Sequence, residues 1–300
     1  MGIYEEISGN RTKTILLISV FLGFVVVLGL IIGLVYGNQY FGLILALIVG
    51  TIYFLISYYA GSSMILSMSG AKEAAKPAYT ALINTVEGLA IAAGLPKPPK
   101  VYVIDDSALN AFATGRNPEH ASITVTTGML QKLNKLELEG VLAHEMSHIK
   151  NYDIRVMMLA SVLVGLTVLL SDFLLRSFLW GGKGDRKDSN QVTLILIIVG
   201  IALAVLSPLI GQLIQLSISR KREYLADASG ALLTRYPKGL ADALRKIKGD
   251  PDPLVDKANK ATAHLFISMP FRHDHKESFM QRMFATHPPI EERIKRLEGM

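Results

Sequence analysis

Four stretches of this chain leave it few ways to fold in water alone. The first, 14-TILLISVFLGFVVVLGLIIGLVY-36, carries no charged side chain. After only Gly37, Asn38 and Gln39, 40-YFGLILALIVGTIYFLISYYA-60 begins. Two more runs lie at 156–175 and 192–216. A helix of about 20 apolar residues crosses the hydrocarbon core of a bilayer, so four transmembrane helices are expected. The first run lacks the short apolar core and small-residue cleavage site of a secretory signal, and reads as a retained anchor. The three-residue connection at 37–39 makes the first two runs an antiparallel hairpin. Asp172 and Pro208 fall within the third and fourth runs; a buried or re-entrant hairpin would tolerate both, but Asp172 sits near the loop end where water is close, so full crossings are expected.

Lysine and arginine orient the spans. The 37–39 turn has none and the 176–191 loop has four, against nine in 61–155 and sixteen in 217–300, with Arg11 and Lys13 before the first run. Four crossings put the N-terminus and both long polar segments on one face, and the positive-inside rule makes that face the cytosol. The net charge of +6 is thereby assigned to anionic lipid headgroups and not to nucleic acid. The chain has no cysteine, which excludes disulfides and thiolate metal sites; any metal is held by His, Asp or Glu.

The polar part is assembled from 61–155 and 217–300, mainly helical with a small β-sheet. An apolar helical period runs over 76–94 and stops at 95-LPKPPK-100. The β-branched stretches 101–104 and 122–127 read as strands, and 110-NAFATG-115 as a further extended piece. A helix is expected over 129–152, and helices from Arg220 onward, the last over 290–300.

Within the 129–152 helix stands 140-GVLAHEMSHIKNYD-153. His144 and His148 are one helical turn apart on one face, so both imidazoles reach a single ion about 2 Å from each nitrogen. Glu145, rotated about 100° from His144, is placed to take a proton from a water held there. The apolar neighbours Val141, Leu142, Met146 and Ile149 set this helix against a core. A catalytic site needs a third protein ligand and an open position. After His148 come Ile149, Lys150 and Asn151, so no third histidine follows at close spacing. Glu223 and Asp227, four apart on a probable helix, are the candidates: one carboxylate for the metal, the other to accept a hydrogen bond from a ligand imidazole.

The HExxH at 144–148, the ExxxD at 223–227 and 286-THPPIEERI-294, together with 69-SGAKEA-74, NAFATG and 263-AHLFISMP-270, resemble the HtpX-type heat-shock membrane metalloproteases, gluzincins related to the CAAX prenyl protease. The resemblance covers nearly the whole chain and implies a zincin-like catalytic domain with one Zn²⁺. It implies His144, His148 and Glu223 as zinc ligands, Glu145 as general base and Asp227 as the partner of a ligand imidazole. It further implies Asn110 and Ala111 as edge-strand positions that hold substrate backbone, His287 as a donor to the oxyanion, and Arg293 as a brace. His264, His273 and His275 carry no such implication.

The expected reaction is peptide-bond hydrolysis. Glu223 lies seven residues beyond Leu216 and His148 eight before Val156. At about 1.5 Å per helical residue, the metal is expected at the membrane surface, with both ligand helices running almost directly into the bilayer. Membrane proteins or unfolded polypeptides at the cytosolic face of the cell membrane are then the expected substrates, in quality control and stress response. Prenyl-protein processing is the rival among enzymes, although four spans are few to enclose a chamber. A closed structural metal site with His287 as fourth ligand is the rival outside them; a transporter has only Asp172 in its favour.

Overall fold

The computed structural model describes residues 3–35, 37–161, 200, 220–250, 265–267 and 288–300. Two long helices open the chain, α1 (Ile3–Val35) and α2 (Gln39–Met68). Asn38 caps α2 by accepting the Phe41 N–H at 3.1 Å. The two helices pack as the expected hairpin, and glycine sets how closely. A Cβ on Gly42 would lie 2.2 Å from the Gly33 backbone nitrogen, and one on Gly29 2.8 Å from the Ala46 Cβ. Small residues let apolar helices approach backbone to backbone in this way. Among the described residues α2 is the helix long and apolar enough to cross a membrane, and α1 carries a shorter apolar stretch over Thr12–Val27. The run 192–216, Asp172 and Pro208 lie outside the described residues apart from Gly200, and 156–175 is described only to residue 161.

The sheet comprises β1 (Lys72–Glu73), β2 (Lys100–Ile104), β3 (Ala111–Gly115) and β4 (Ala121–Thr126), in the spatial order β1-β2-β4-β3. β2 and β4 run parallel, while β1 and β3 are antiparallel to their neighbours. The strands expected from sequence are present, and β1 is an addition too short to carry a pattern. Side chains alternate across a strand. Val101, Val103, Ala111, Ala113, Ile123 and Val125 face one core, shared with α3 (Thr80–Ala93) and α5 (Lys135–Lys150). Ile104 and Phe112 face another, shared with Leu17 of α1, Ile65 and Leu66 of α2, residues 156–159, Leu265 and Phe266. The sheet is therefore sandwiched between α3 and α5 on one face and the apolar hairpin on the other.

The helix expected over 129–152 is interrupted at both ends. α4 (Thr127–Lys132) stops, and α5 starts afresh at an Asn134 capping box, with Asn134 and Glu137 exchanging hydrogen bonds of 2.7 and 3.0 Å. Such reciprocal satisfaction of orphan amides marks a new helix start. At the other end Asn151 caps α5 and Tyr152 takes a left-handed φ of 62°, after which 153–161 is helical again. The motif helix thus does not run straight on toward the third apolar run; the chain turns at 151–152. Val156, Met158 and Leu159 are buried in the second core. The chain continues with α6 (Arg220–Thr234), α7 (Pro237–Lys248) and α8 (Ile290–Glu298).

Candidate metal centre

α5 presents His144, Glu145 and His148, all buried. α6 packs beside it and presents Glu223 and Asp227 from one face. Gly230, the next residue on that face, permits the approach: a Cβ there would lie 3.0 Å from the His144 backbone nitrogen. Gly140 does the same against α7, where a Cβ would lie 2.6 Å from the Leu240 nitrogen. Both clearances are properties of helix pairs and leave no mark in local spacing.

His144 Nε2 and His148 Nε2 are 3.2 Å apart. Glu223 lies against both, with Oε1 3.5 Å from His148 Nε2 and Oε2 3.8 Å from His144 Nε2. One ligand atom from each of the three residues falls within 4.8 Å of the others. The opposite ring nitrogens are occupied: His144 Nδ1 is 2.9 Å from Asp227 Oδ1, and His148 Nδ1 is 2.8 Å from Asp153 Oδ2. A carboxylate on Nδ1 places the ring proton there and leaves the Nε2 lone pair for a cation. Two such imidazoles and a carboxylate converging on one point form a donor set that suits a borderline-soft divalent ion with an open coordination position.

Each orienting carboxylate is itself held by arginine. Arg293, fully buried, grips Asp227 bidentately at 2.9 Å (Nε) and 2.7 Å (Nη2), and its Nη1 is 3.6 Å from Glu223. Burial pushes Asp227 up, but Arg293 outweighs it and holds the carboxyl down at about 2. Arg222 donates to Asp153 through Nε at 2.8 Å and also contacts Asn10. Asn10, from α1, donates its side-chain amide to Asp153 Oδ1 and to the Asn151 carbonyl, both at 2.6 Å.

The three titrating groups diverge. Burial lowers His144, with Arg293 adding to the effect against Asp227. Burial also opposes charge on His148, but Asp153 and Glu223 outweigh it and raise the ring to about 9. Glu145 is raised to about 7, chiefly by burial. A carboxyl near 7 is suited to exchange a proton in either direction at neutral pH. The Ala113 backbone amide donates to it, tying the carboxyl to β3.

β3 lies at the edge of the sheet. The Asn110 carbonyl accepts the Thr126 N–H toward β4, so residues 111, 113 and 115 turn their backbone groups away from β4. The Asn110 side chain accepts the Ala111 N–H at 3.1 Å, which fixes the start of the strand. The Ala111 carbonyl already accepts the Ile267 N–H at 2.9 Å, while Phe266 packs edge-on against Phe112 with ring centroids 5.0 Å apart. Arg293 Nη1 reaches the Ile267 carbonyl at 3.4 Å.

The structure thus brings together His144, Glu145, His148, Glu223, Asp227 and Arg293, with Ala111 on the adjoining edge strand and Asn110 just before it. His287 lies outside the described residues, as do His264, His273 and His275. Sequence reasoning missed Asp153, Arg222 and Asn10. Asp153 stands in the quoted motif, but beyond the turn at 151–152, where helical spacing no longer predicts direction. In the sequence Arg222 is one of the sixteen basic residues of 217–300, yet it is 4% exposed. Asn10 has no local signal.

A family model described as "Peptidase family M48" matches residues 78–300. A protease HtpX homolog of Dictyoglomus turgidum is 45% identical, the match covering 99% of this chain and 94% of that relative. A protease HtpX homolog of Tropheryma whipplei is 44% identical over 99% and 98% of the two chains. Among solved structures, the crystal structure of S. mikatae Ste24p resembles the chain with a TM-score of 0.50 at 20% identity, covering 98% of this chain and 67% of that one; this likeness speaks for the fold.

Proposed function

The chain belongs to peptidase family M48, with the HtpX-type proteases, and from that premise of a metalloprotease we propose that it is a zinc endopeptidase cleaving membrane or unfolded polypeptides at the cytosolic membrane face. The observation that carries the metal assignment is the convergence of the two Nε2 atoms, 3.2 Å apart, on Glu223 while both Nδ1 atoms are held by aspartates. We assign His144, His148 and Glu223 as ligands, and Asp227 and Asp153 as the groups that fix the ring tautomers. When bound, zinc supplies Lewis acidity and acidifies a coordinated water.

The remaining work falls to the chain. Glu145, one residue from a ligand and raised to about 7, takes the proton of the attacking water and returns it to the leaving amide nitrogen. The core packed on both sides of β3 keeps bulk water from the carboxyl, strengthening its interactions. A substrate strand adds along the outward edge of β3 beside Asn110 and Ala111, taking the Ala111 carbonyl from Ile267, and His287 supplies a hydrogen bond to the developing oxyanion. Membrane action is supported by α2 and by α1 reaching the metal centre through Asn10. The reading takes 61–155 and 217–300 as the two catalytic segments, although α2 runs helically past the first boundary to Met68.

The test compares wild type with Glu145→Gln, both zinc-loaded, on an unfolded membrane-protein substrate in detergent. Cleavage by wild type alone is expected. Equal cleavage by both would remove Glu145 from the mechanism, and cleavage by neither despite stoichiometric zinc would favour a closed site.

A further inference from the structure

The apolar body of α2 gives way to Tyr58, Tyr59, Ser62 and Ser63. Tyrosine pairs of this kind sit where a membrane helix meets the headgroup region. Beside them the sheet and its turns close a cleft of about 240 Å³. Its basic lining comes from three separate places: Lys97 in the loop before β2, Lys100 at the start of β2, and Arg116 just after β3. Among the described residues that line it Glu119 is the one carboxylate, so the cleft carries a positive excess.

Arg116 is the organising group. Its guanidinium lies 5.1 Å from the centroid of the Tyr59 ring, a cation–π contact that fixes the plane. Its backbone carbonyl accepts Arg155 Nε at 2.6 Å, which anchors the turn. Lys100 does pair with Glu73, at 3.4 Å, but both side chains are 58% exposed, and such a pair exchanges readily for a stronger anion. A guanidinium fork, two ammonium groups and serine hydroxyls from α2 are the donors a phosphodiester takes.

We propose that this cleft binds the phosphodiester headgroup of an anionic phospholipid, at the junction of α2 and the catalytic sheet. The position commits the assignment to lipid, since acyl chains of a lipid held here lie along α2, whose apolar side chains, Ile52, Leu55 and Ile56, are exposed. The inference rests on α2 lying in a bilayer, as proposed above.

Detergent-purified, zinc-loaded full-length protein would be examined by native mass spectrometry after exchange with phosphatidylglycerol or phosphatidylcholine, and by thermal unfolding with each lipid and with inorganic phosphate. Wild type is expected to retain phosphatidylglycerol over phosphatidylcholine by at least about tenfold, and to be stabilised by it. Arg116→Gln should abolish the preference. Lys97→Gln with Lys100→Gln, both at exposed positions, should reduce it without touching the fold. Equal retention of the two lipids, or a preference that survives both variants, overturns the site. Stabilisation by inorganic phosphate equal to that by phosphatidylglycerol reassigns it to free phosphate. Failure to associate with vesicles of either composition would instead sink the membrane reading itself.

Discussion

Asn10, near the start of the first helix, donates its side-chain amide to Asp153 Oδ1 at 2.6 Å, while the other oxygen of Asp153 lies 2.8 Å from His148 Nδ1. The first helix thereby reaches His148, a proposed metal ligand, through one carboxylate. Arg222 shares that carboxylate, so residues 10, 153 and 222 meet at one buried point, and the ends of three chain segments are locked together there.

Asp153→Asn should keep the fold and weaken zinc binding by about 10- to 100-fold, the usual cost of losing an orienting partner of a ligand histidine. Asn10→Ala should weaken it less, since Arg222 still holds the carboxylate. Competition against a chromogenic chelator reads both affinities. Unchanged affinity in Asp153→Asn would show that His148 needs no such orientation.

Arg293 is buried with its guanidinium on Asp227. Arg293→Gln leaves a buried carboxylate without its cation, and a loss of about 3–5 kcal/mol is expected, read by unfolding in detergent. Arg293→Lys should recover only part of it, because an ammonium cannot make the two parallel bonds. Full recovery by lysine would reduce the role of Arg293 to charge alone.

Gly230 spaces α6 from α5 at the level of His144. Gly230→Val is expected to push the helices apart, carry Glu223 away from the two imidazoles, and lower zinc stoichiometry before it lowers helix content. Metal analysis set beside circular dichroism separates the two. Full zinc occupancy in this variant would contradict the clearance argument.

His287→Phe distinguishes the two readings of that residue. As an oxyanion donor its loss should cost about 10²–10³ in kcat with zinc affinity unchanged. A fall in affinity with little change in residual turnover would instead make it a fourth ligand.

Much of the site was legible because it is local. His144, Glu145 and His148 sit on one helix, where the 3.6-residue turn alone decides which side chains share a face, and the same holds for Glu223 and Asp227. β2 and β4 were legible from their β-branched runs, whereas the two-residue β1 was not. The interruption of the motif helix at Leu133–Asn134 was not, because an apolar period continues across it while the Asn134–Glu137 capping box starts a new helix.

By itself, then, the amino-acid order determined the apolar runs, the pair of histidines with their glutamate, and the second pair of carboxylates, all of them consequences of short-range geometry. Tertiary structure alone decided that Glu223 faces the histidines, that Asp153 holds one ring and Asp227 the other, and that Asn10 reaches Asp153 across 143 positions. It also decided that Ile267 occupies the carbonyl of Ala111. Those contacts follow from which helix faces bury against each other, and how closely glycine lets them approach. No spacing rule along the chain carries that information, because burial is a property of surfaces that meet only once the whole chain has packed.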